Sequence, residues 1–537
     1  MKKRLLTALL SGALILTALA GCGQVAENQS GANDASAGGE SGARDELIFV
    51  NYRDIRDLNP HLYAGEMYAQ SILYDTLVSN TREGYVGCLA EDWTISEDGR
   101  TYTFNIRDGV TFSDGTPCDA NAILANFNAI LENRERHTWL EMMNLLVGVS
   151  APDDDTFVIE MSEPYYPMLT ELACIRPFAM ISPNCMIDGS TKDGVNGYIG
   201  TGPYVLTDFV TDEYAVFERN EHYWGEAPAI QKITVKVIPD NQTRIMALEN
   251  EEIDLIFGKN MLDADAISQY VDSDRFTVSL SDPTSTRHIV LNTTHDILGD
   301  TAVRKALQHA TNRQAISEGI FYGLEPAADT LYSPTVPYCD VDLEPYAYDT
   351  EEAARLLDEA GWVMGSDGGR SKNGQKLELD LLYNSDSVTE KTISEYLQSE
   401  YLKLGISLNI HGEEEQSYRD NMKAGNFDMV FNICWGMPYD PQSSLAAMRA
   451  PVYGDYAAQQ GLEDKAEIDQ AITDILTSTD EAERQELYDF VLTRLHEDAV
   501  YIPLTYETNK ALYTSELKGV HFGTDQYDVD FASMYFE

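Results

Sequence analysis

Basic residues are scarce in this chain: 37 Lys and Arg stand against 89 Asp and Glu, a formal charge of −52 over 537 residues. A phosphate backbone would be repelled at long range, which argues against nucleic-acid binding. Catalytic signatures are missing as well, since no G-x-S-x-G elbow, G-x-x-x-x-G-K-[ST] phosphate loop, H-E-x-x-H helix or EF-hand loop occurs. The nine histidines (His61, His137, His222, His288, His295, His309, His411, His496 and His521) fall singly, without the close spacing of a metal-ligand pair. Cysteine is sparse: there are seven, none in a C-x-x-C pair, so a zinc ribbon or thioredoxin-type motif is not expected. Past residue 20 no run is long and apolar enough to span a bilayer.

What is present describes an exported globular protein. Hydrophobic residues make up 43% of the chain and aromatics 10%, and the length fits two to four domains. Lys2, Lys3 and Arg4 precede an apolar run from Leu5 to Ala20, which Leu19-Ala20-Gly21-Cys22 closes. That run suits a signal peptide, and the small residues before Cys22 resemble a bacterial lipobox, whose cysteine is lipidated. Residues 23–44, rich in Gly, Ser, Ala and Asn, read as a flexible tether. Of the other cysteines, Cys174 and Cys185 are the closest pair and a candidate disulfide.

Along the body, strands alternate with helices. Asp119 is placed to cap a helix whose apolar positions include Ile123, Phe127, Ile130 and Leu131, and Asp240 or Asn241 to cap another. Further on, Val303, Ala306, Leu307 and Ala310 share one helical face, as do Ala353, Leu356, Leu357 and Ala360 before Gly361. A strand over 377–383, a helix over 389–404 and a strand over 406–410 form a βαβ unit, so a mainly parallel sheet is expected there. The strand-like run 429–433 then breaks at Trp435-Gly436, where Pro438 and Pro441 forbid regular pairing. Trp435 and Tyr439 are thereby carried on an irregular loop where a strand ends, a common place for a ligand, although either ring could equally plug a core. The pattern as a whole predicts two α/β lobes of unequal size.

Two arginines stand out. Arg136 and Trp139 are three apart at a helix end, and Arg176 sits in the apolar stretch Cys174-Ile175-Arg176-Pro177-Phe178, where Pro177 holds it extended. A guanidinium in such surroundings needs an anion: either one of the chain's own acids or a ligand carboxylate.

The run Leu89-Ala90-Glu91-Asp92-Trp93, with Arg107-Asp108-Gly109, Phe112-Ser113-Asp114-Gly115, Gly200-Thr201-Gly202-Pro203-Tyr204 and Arg219-Asn220-Glu221-His222-Tyr223-Trp224-Gly225, resembles the family 5 bacterial extracellular solute-binding proteins of ABC importers. Leu58-Asn59-Pro60-His61-Leu62-Tyr63, Asn133 to Trp139, Arg176-Pro177-Phe178 and Trp435 to Pro441 resemble its nickel and metallophore branch. The resemblance implies a two-lobed α/β periplasmic-binding-protein fold of type II, with 45–284 plus 508–537 as one lobe and 285–507 as the other. It implies that Arg136 and Arg176 hold the carboxylates of a small metal chelate, while Met67, Trp139, Trp435 and Tyr439 line the cleft. Well-known nickel receptors carry a histidine where this chain has Tyr453, shortly after Met448-Arg449, and a tryptophan where it has Asn51. The chelator is therefore expected to supply the metal's ligands, with Arg449 and Tyr453 as polar contacts. The expected protein is a monomeric, lipid-anchored receptor on the extracytoplasmic face that serves a permease and its ATPase, with no catalytic residue or resident cofactor. Rival readings are a di- or oligopeptide receptor in which Asp440 pairs the peptide amine, a secreted hydrolase, and a purely sensory receptor.

Overall fold

The computed structural model describes residues 44–81, 84–259, 261–434, 441–451, 453–524, 527 and 529–537. The signal peptide, Cys22 and nearly all of the proposed tether lie outside these residues. Arg44, the last residue assigned to the tether, is bound into the body: its guanidinium makes two 2.7 Å hydrogen bonds to Asp254.

A ten-stranded mixed sheet organises the body. Its order is Tyr204–Val210, Tyr214–Arg219, Lys232–Val237, Glu46–Asn51, Leu255–Phe257, Tyr501–Thr514, Phe276–Leu291, Met429–Cys434, Glu378–Asn384 and Ser407–Glu413. The parallel pairing expected around 377–433 is found among the last three strands. Elsewhere the sheet departs from that expectation. Its centre is a long antiparallel pair, Phe276–Leu291 with Tyr501–Thr514, whose register shifts on both sides of Pro283. Proline has no N–H to give to the ladder, so the pairing yields there.

This pair reaches both halves of the molecule. Its outer end joins the strands that enclose Phe49, Tyr204 and Phe217, a core to which Phe531, Met534 and Phe536 of the C-terminal tail return. Its other end carries Ile289 and Val290, whose side chains alternate between two further cores. The helices cover these cores as their periodicity predicts. Asp119 accepts from the Ala122 N–H at 2.9 Å and opens the helix Ala120–Glu132, which buries Ile123, Phe127 and Ile130. Asp300 opens Thr301–Ala310, and Val303, Ala306, Leu307 and Ala310 are its buried stripe. Each large apolar side chain so buried contributes roughly 2 kcal/mol. In the motif Gly200-Thr201-Gly202, a Cβ at Gly200 would lie 2.0 Å from the Leu73 carbonyl oxygen, so the motif is a site of close backbone approach.

The candidate Cys174–Cys185 disulfide is not formed. Both are buried thiols; Cys174 donates to the Thr170 carbonyl four residues back, while Cys185 packs in a core beside Tyr74 and Met186.

Where the two long strands pass from one half to the other, buried ions tie them together. Glu507 accepts from Lys259, Arg287 and Ser285, and Glu325 lies 3.8 Å from Arg287 and 3.2 Å from Lys510. Burial would push the Glu507 carboxyl up, but the charges of Arg287 and Lys259 override it and hold the group well below the usual carboxylate range. Its contribution to stability is therefore present above the unfolded value near 4.5 and lost as pH falls below it. Glu507→Gln leaves Lys259 without its carboxylate and Arg287 with only Glu325 at 3.8 Å, and should cost about 3 kcal/mol at neutral pH, read from urea unfolding. A change within about 0.5 kcal/mol, the scale of an ordinary surface substitution, would mean the network is hydrated and weak.

Candidate functional site

A cavity of about 950 Å³ opens where the parallel strands Glu46–Asn51 and Leu255–Phe257 end, and Ile433 of the Met429–Cys434 strand closes it from the other half. Carboxyl ends of parallel strands leave such crevices because the connections diverge there. The halves meet again beyond it. Tyr166 donates its N–H to the Leu476 carbonyl at 3.0 Å and its hydroxyl to Glu481 at 2.7 Å, and its ring lies 3.4 Å from the guanidinium carbon of the fully buried Arg484.

Four of the residues singled out in the sequence, Met67, Arg136, Trp139 and Arg176, line this cavity. Arg134–His137 is a single 3₁₀ turn after the helix Ala120–Glu132, and it carries Arg136 and Trp139 to the same space. Arg136 makes no side-chain hydrogen bond or ion pair among the described residues. Arg176 is held in extended geometry by the following proline, with φ −110° and ψ 123°. Its Nε donates to Gln70 at 2.6 Å and its Nη2 to the Gly65 carbonyl, leaving Nη1 without a partner among the described residues. Gly65 is required: a Cβ there would lie 2.3 Å from the Asp57 carbonyl oxygen. Burial lowers the pKa of Arg176 and the carboxylate of Glu66 partly restores it, so the guanidinium is a desolvated donor with one edge unspent.

Trp139 is fixed by a short relay. Its Nε1–H donates to the Tyr63 oxygen at 2.8 Å, so the Tyr63 hydroxyl gives its own proton to His137 Nδ1 at 2.6 Å. Burial and the charge of Arg136 lower His137 to about 4, and burial pushes Tyr63 up to about 12. Both are neutral at pH 7, and the relay orients the indole rather than moving a proton.

Trp435 and Tyr439 lie outside the described residues; Ile433 brings the chain to the cavity just before them. Arg449 and Tyr453 are not among the described lining residues. Arg449 turns to the helix Lys465–Thr477, where it donates to Thr473 at 2.8 Å, and Tyr453 immediately precedes the helix Gly454–Gln459. Three charged lining residues escaped the sequence reading: Arg53, Glu66 and Lys259. Arg53 and Lys259 each follow a strand by two residues, and that position was the available signal. Glu66 is the one acid among the described lining residues, against Arg53, Arg136, Arg176 and Lys259. Among the described residues no group of His, Cys, Asp and Glu is placed to hold a metal ion. Nor is any described helix long and apolar enough to cross a membrane.

A two-lobed α/β body with a cationic cleft between its halves is the architecture of an extracytoplasmic binding protein. The chain belongs to the bacterial extracellular solute-binding proteins, family 5, whose model matches residues 84–455. It is 41% identical over 494 residues to the nickel-binding periplasmic protein of Escherichia coli K12, covering 91% of this chain and 94% of that one. It superimposes on the crystal structure of NikA from Brucella suis in complex with Fe(III)-EDTA with a TM-score of 0.88 at 43% identity, covering 92% of this chain and all of that one. The dipeptide-binding protein of E. coli K12 is more distant, 26% identical over 506 residues, 88% of this chain and 91% of that protein.

The His137 environment has a pH signature. Below pH 6.5 the unfolded imidazole takes up a proton that the buried one refuses until about 4, so native stability falls across that window as pH falls. Urea midpoints measured from pH 6.5 to 4 should show a slope shallower by about one proton in His137→Gln than in the wild type. Equal slopes would mean that His137 titrates in the native state as it does in water.

Proposed function

We propose that this protein is the extracytoplasmic solute-binding lipoprotein of an ABC importer, capturing a chelate of nickel or another transition metal through the chelator's carboxylates. The observation that carries this reading is the set of guanidinium donors left unpaired in the cleft, at Arg136 and Arg176. Such donors are costly to desolvate alone and are offset by a planar carboxylate. The resemblance to a nickel-binding protein and to a receptor that accepts Fe(III)-EDTA supports it. The lack of a described metal-ligating cluster favours a metal that arrives already coordinated. A peptide receptor would need a free acid for the peptide amine. Glu66 already accepts from Arg53 at 2.5 Å and from Asn51 at 3.1 Å, which disfavours that alternative for the described lining, while Asp440, the acid expected in that role, lies outside the described residues. The family is one of binding proteins, so the hydrolase reading has no support.

In this reading the lobes are 45–284 plus 508–537 and 285–507, and the hinge is the stretch of the long strands where the register shifts beside Pro283. A ligand that touches both lobes only when they are closed shifts the population toward closure, and Tyr166 against Arg484 stabilises that state. Cys22 carries the lipid, residues 23–43 hold the monomeric body off the membrane, and the permease and its ATPase receive the ligand.

Tryptophan fluorescence of the soluble body, residues 45–537, tests the proposal, because Trp139 lies in the cavity. Ni²⁺ with excess histidine should give a saturable change that neither Ni²⁺ alone nor a mixed peptide pool gives. A response to peptides without metal would move the protein to the peptide receptors. Replacing Arg136 and Arg176 together by Ala should weaken chelate binding by at least about a hundredfold with the fold intact, each charged hydrogen bond being worth about 1.5–3 kcal/mol.

A further inference from the structure

Arg53 stands two residues beyond the strand Glu46–Asn51, at the carboxyl end of the sheet, and lines the same cavity as Arg136 and Arg176. Three contacts fix it. Its Nε donates to Glu66 Oε1 at 2.5 Å, its guanidinium carbon lies 4.8 Å from the centroid of the Tyr52 ring, and its own carbonyl accepts from Asn51 Nδ2 at 3.0 Å. The same Asn51 amide donates to Glu66 Oε2 at 3.1 Å, which holds the carboxylate in place behind the arginine. Among the described residues nothing accepts from Nη1 or Nη2 of Arg53.

The ion pair is oriented. The Arg53 side chain is 38% exposed and that of Glu66 only 9%, so the pair turns its cationic edge to the cavity and keeps its anionic end in the protein. A pair that served only to close the loop between residues 53 and 66 would gain by engaging both edges of the guanidinium fork. Here one edge is spent on Glu66 and the other is left with its donors free.

We infer that Arg53 is a third anchor for ligand carboxylates, making this cleft selective for chelators that carry three or more of them; Glu66, Asn51 and Tyr52 are its positioning residues. The inference rests on the chelate reading given above and names the chelator class within it. Lys259 is a poorer anchor, because its charge is neutralised by Glu507 and two of the three donors of its ammonium go to Glu507 and Ser285. The ligand's further carboxylates therefore fall to Arg53, and a third fork constrains the ligand's orientation as well as its charge.

The probes are the nickel chelates of ethylenediaminetetraacetate and of ethylenediamine-N,N′-diacetate, which share a backbone and differ in carrying four carboxylates or two. The wild type should prefer the tetracarboxylate by roughly tenfold or more, and Arg53→Leu should bring that affinity ratio toward one. Arg53→Lys, which keeps the charge without the fork, should restore part of the ratio. Should the Leu variant fail to fold by circular dichroism, Glu66→Gln provides the second reading, lowering the ratio because the arginine is no longer held. A ratio in Arg53→Leu or Glu66→Gln equal to that of the wild type overturns the inference while leaving the chelate reading in place. If the wild type binds neither chelate yet responds to peptides, the chelate reading fails and this inference falls with it.

Discussion

The antiparallel pair Phe276–Leu291 with Tyr501–Thr514 is the constraint on which the rest of the molecule depends. Every strand of the large sheet reaches the other half only through these two, so whatever sets their geometry sets the cleft. The pair is weakened as a ladder around Pro283 and reinforced just there by Glu507, Arg287, Lys259, Glu325 and Lys510. Backbone pairing that yields and charges that hold are a combination suited to a hinge: the strands can bend while the ion network prevents them from parting. Lys259 belongs both to this network and to the cavity lining, so the hinge and the ligand site share a residue.

The cleft gains its character from how its charges are paired. Lys259 is neutralised by Glu507, and Arg53 is backed by Glu66, whereas Arg136 and one edge of Arg176 have no described partner. In a chain of charge −52, such donors are surrounded by available acids at the surface. Burying the Arg176 guanidinium with one edge unpaired costs stability that an anionic ligand recovers, whereas the exposed Arg136 stays hydrated until a ligand arrives. The aromatic relay from Trp139 through Tyr63 to His137 acts differently: it fixes a flat apolar surface beside the donors, which limits the shape of what they can hold.

Much of this was legible in the sequence, for reasons that differ by element. The cap at Asp119 with its stripe, the cap at Asp240 and the stripe from Val303 to Ala310 follow from local chemistry, and the structure has them where the pattern requires. Arg136 with Trp139, and Arg176 in its apolar stretch, were visible because a charge among apolar residues is conspicuous. Glu66 was not, being one acid among many with no periodicity to mark it, and Arg53 was marked only by its place just beyond a strand. The long strand Tyr501–Thr514 was equally hidden: buried on both faces for 13 of its 14 residues, it has no alternation to read. The network at the hinge joins Lys259 to Glu507 across 248 positions, a distance at which no local pattern reports contact. Cys174 and Cys185 misled for the opposite reason, since proximity in sequence says nothing about the cores into which two thiols fold.

In this reading guanidinium groups recognise the chelator while the protein leaves the metal alone. X-ray absorption at the nickel edge, recorded for the nickel–histidine chelate free and bound to the protein, tests it most directly. The nearest neighbours should be the same in both spectra. An additional imidazole or other protein ligand in the bound spectrum, confirmed by its loss in the corresponding residue variant, would contradict it.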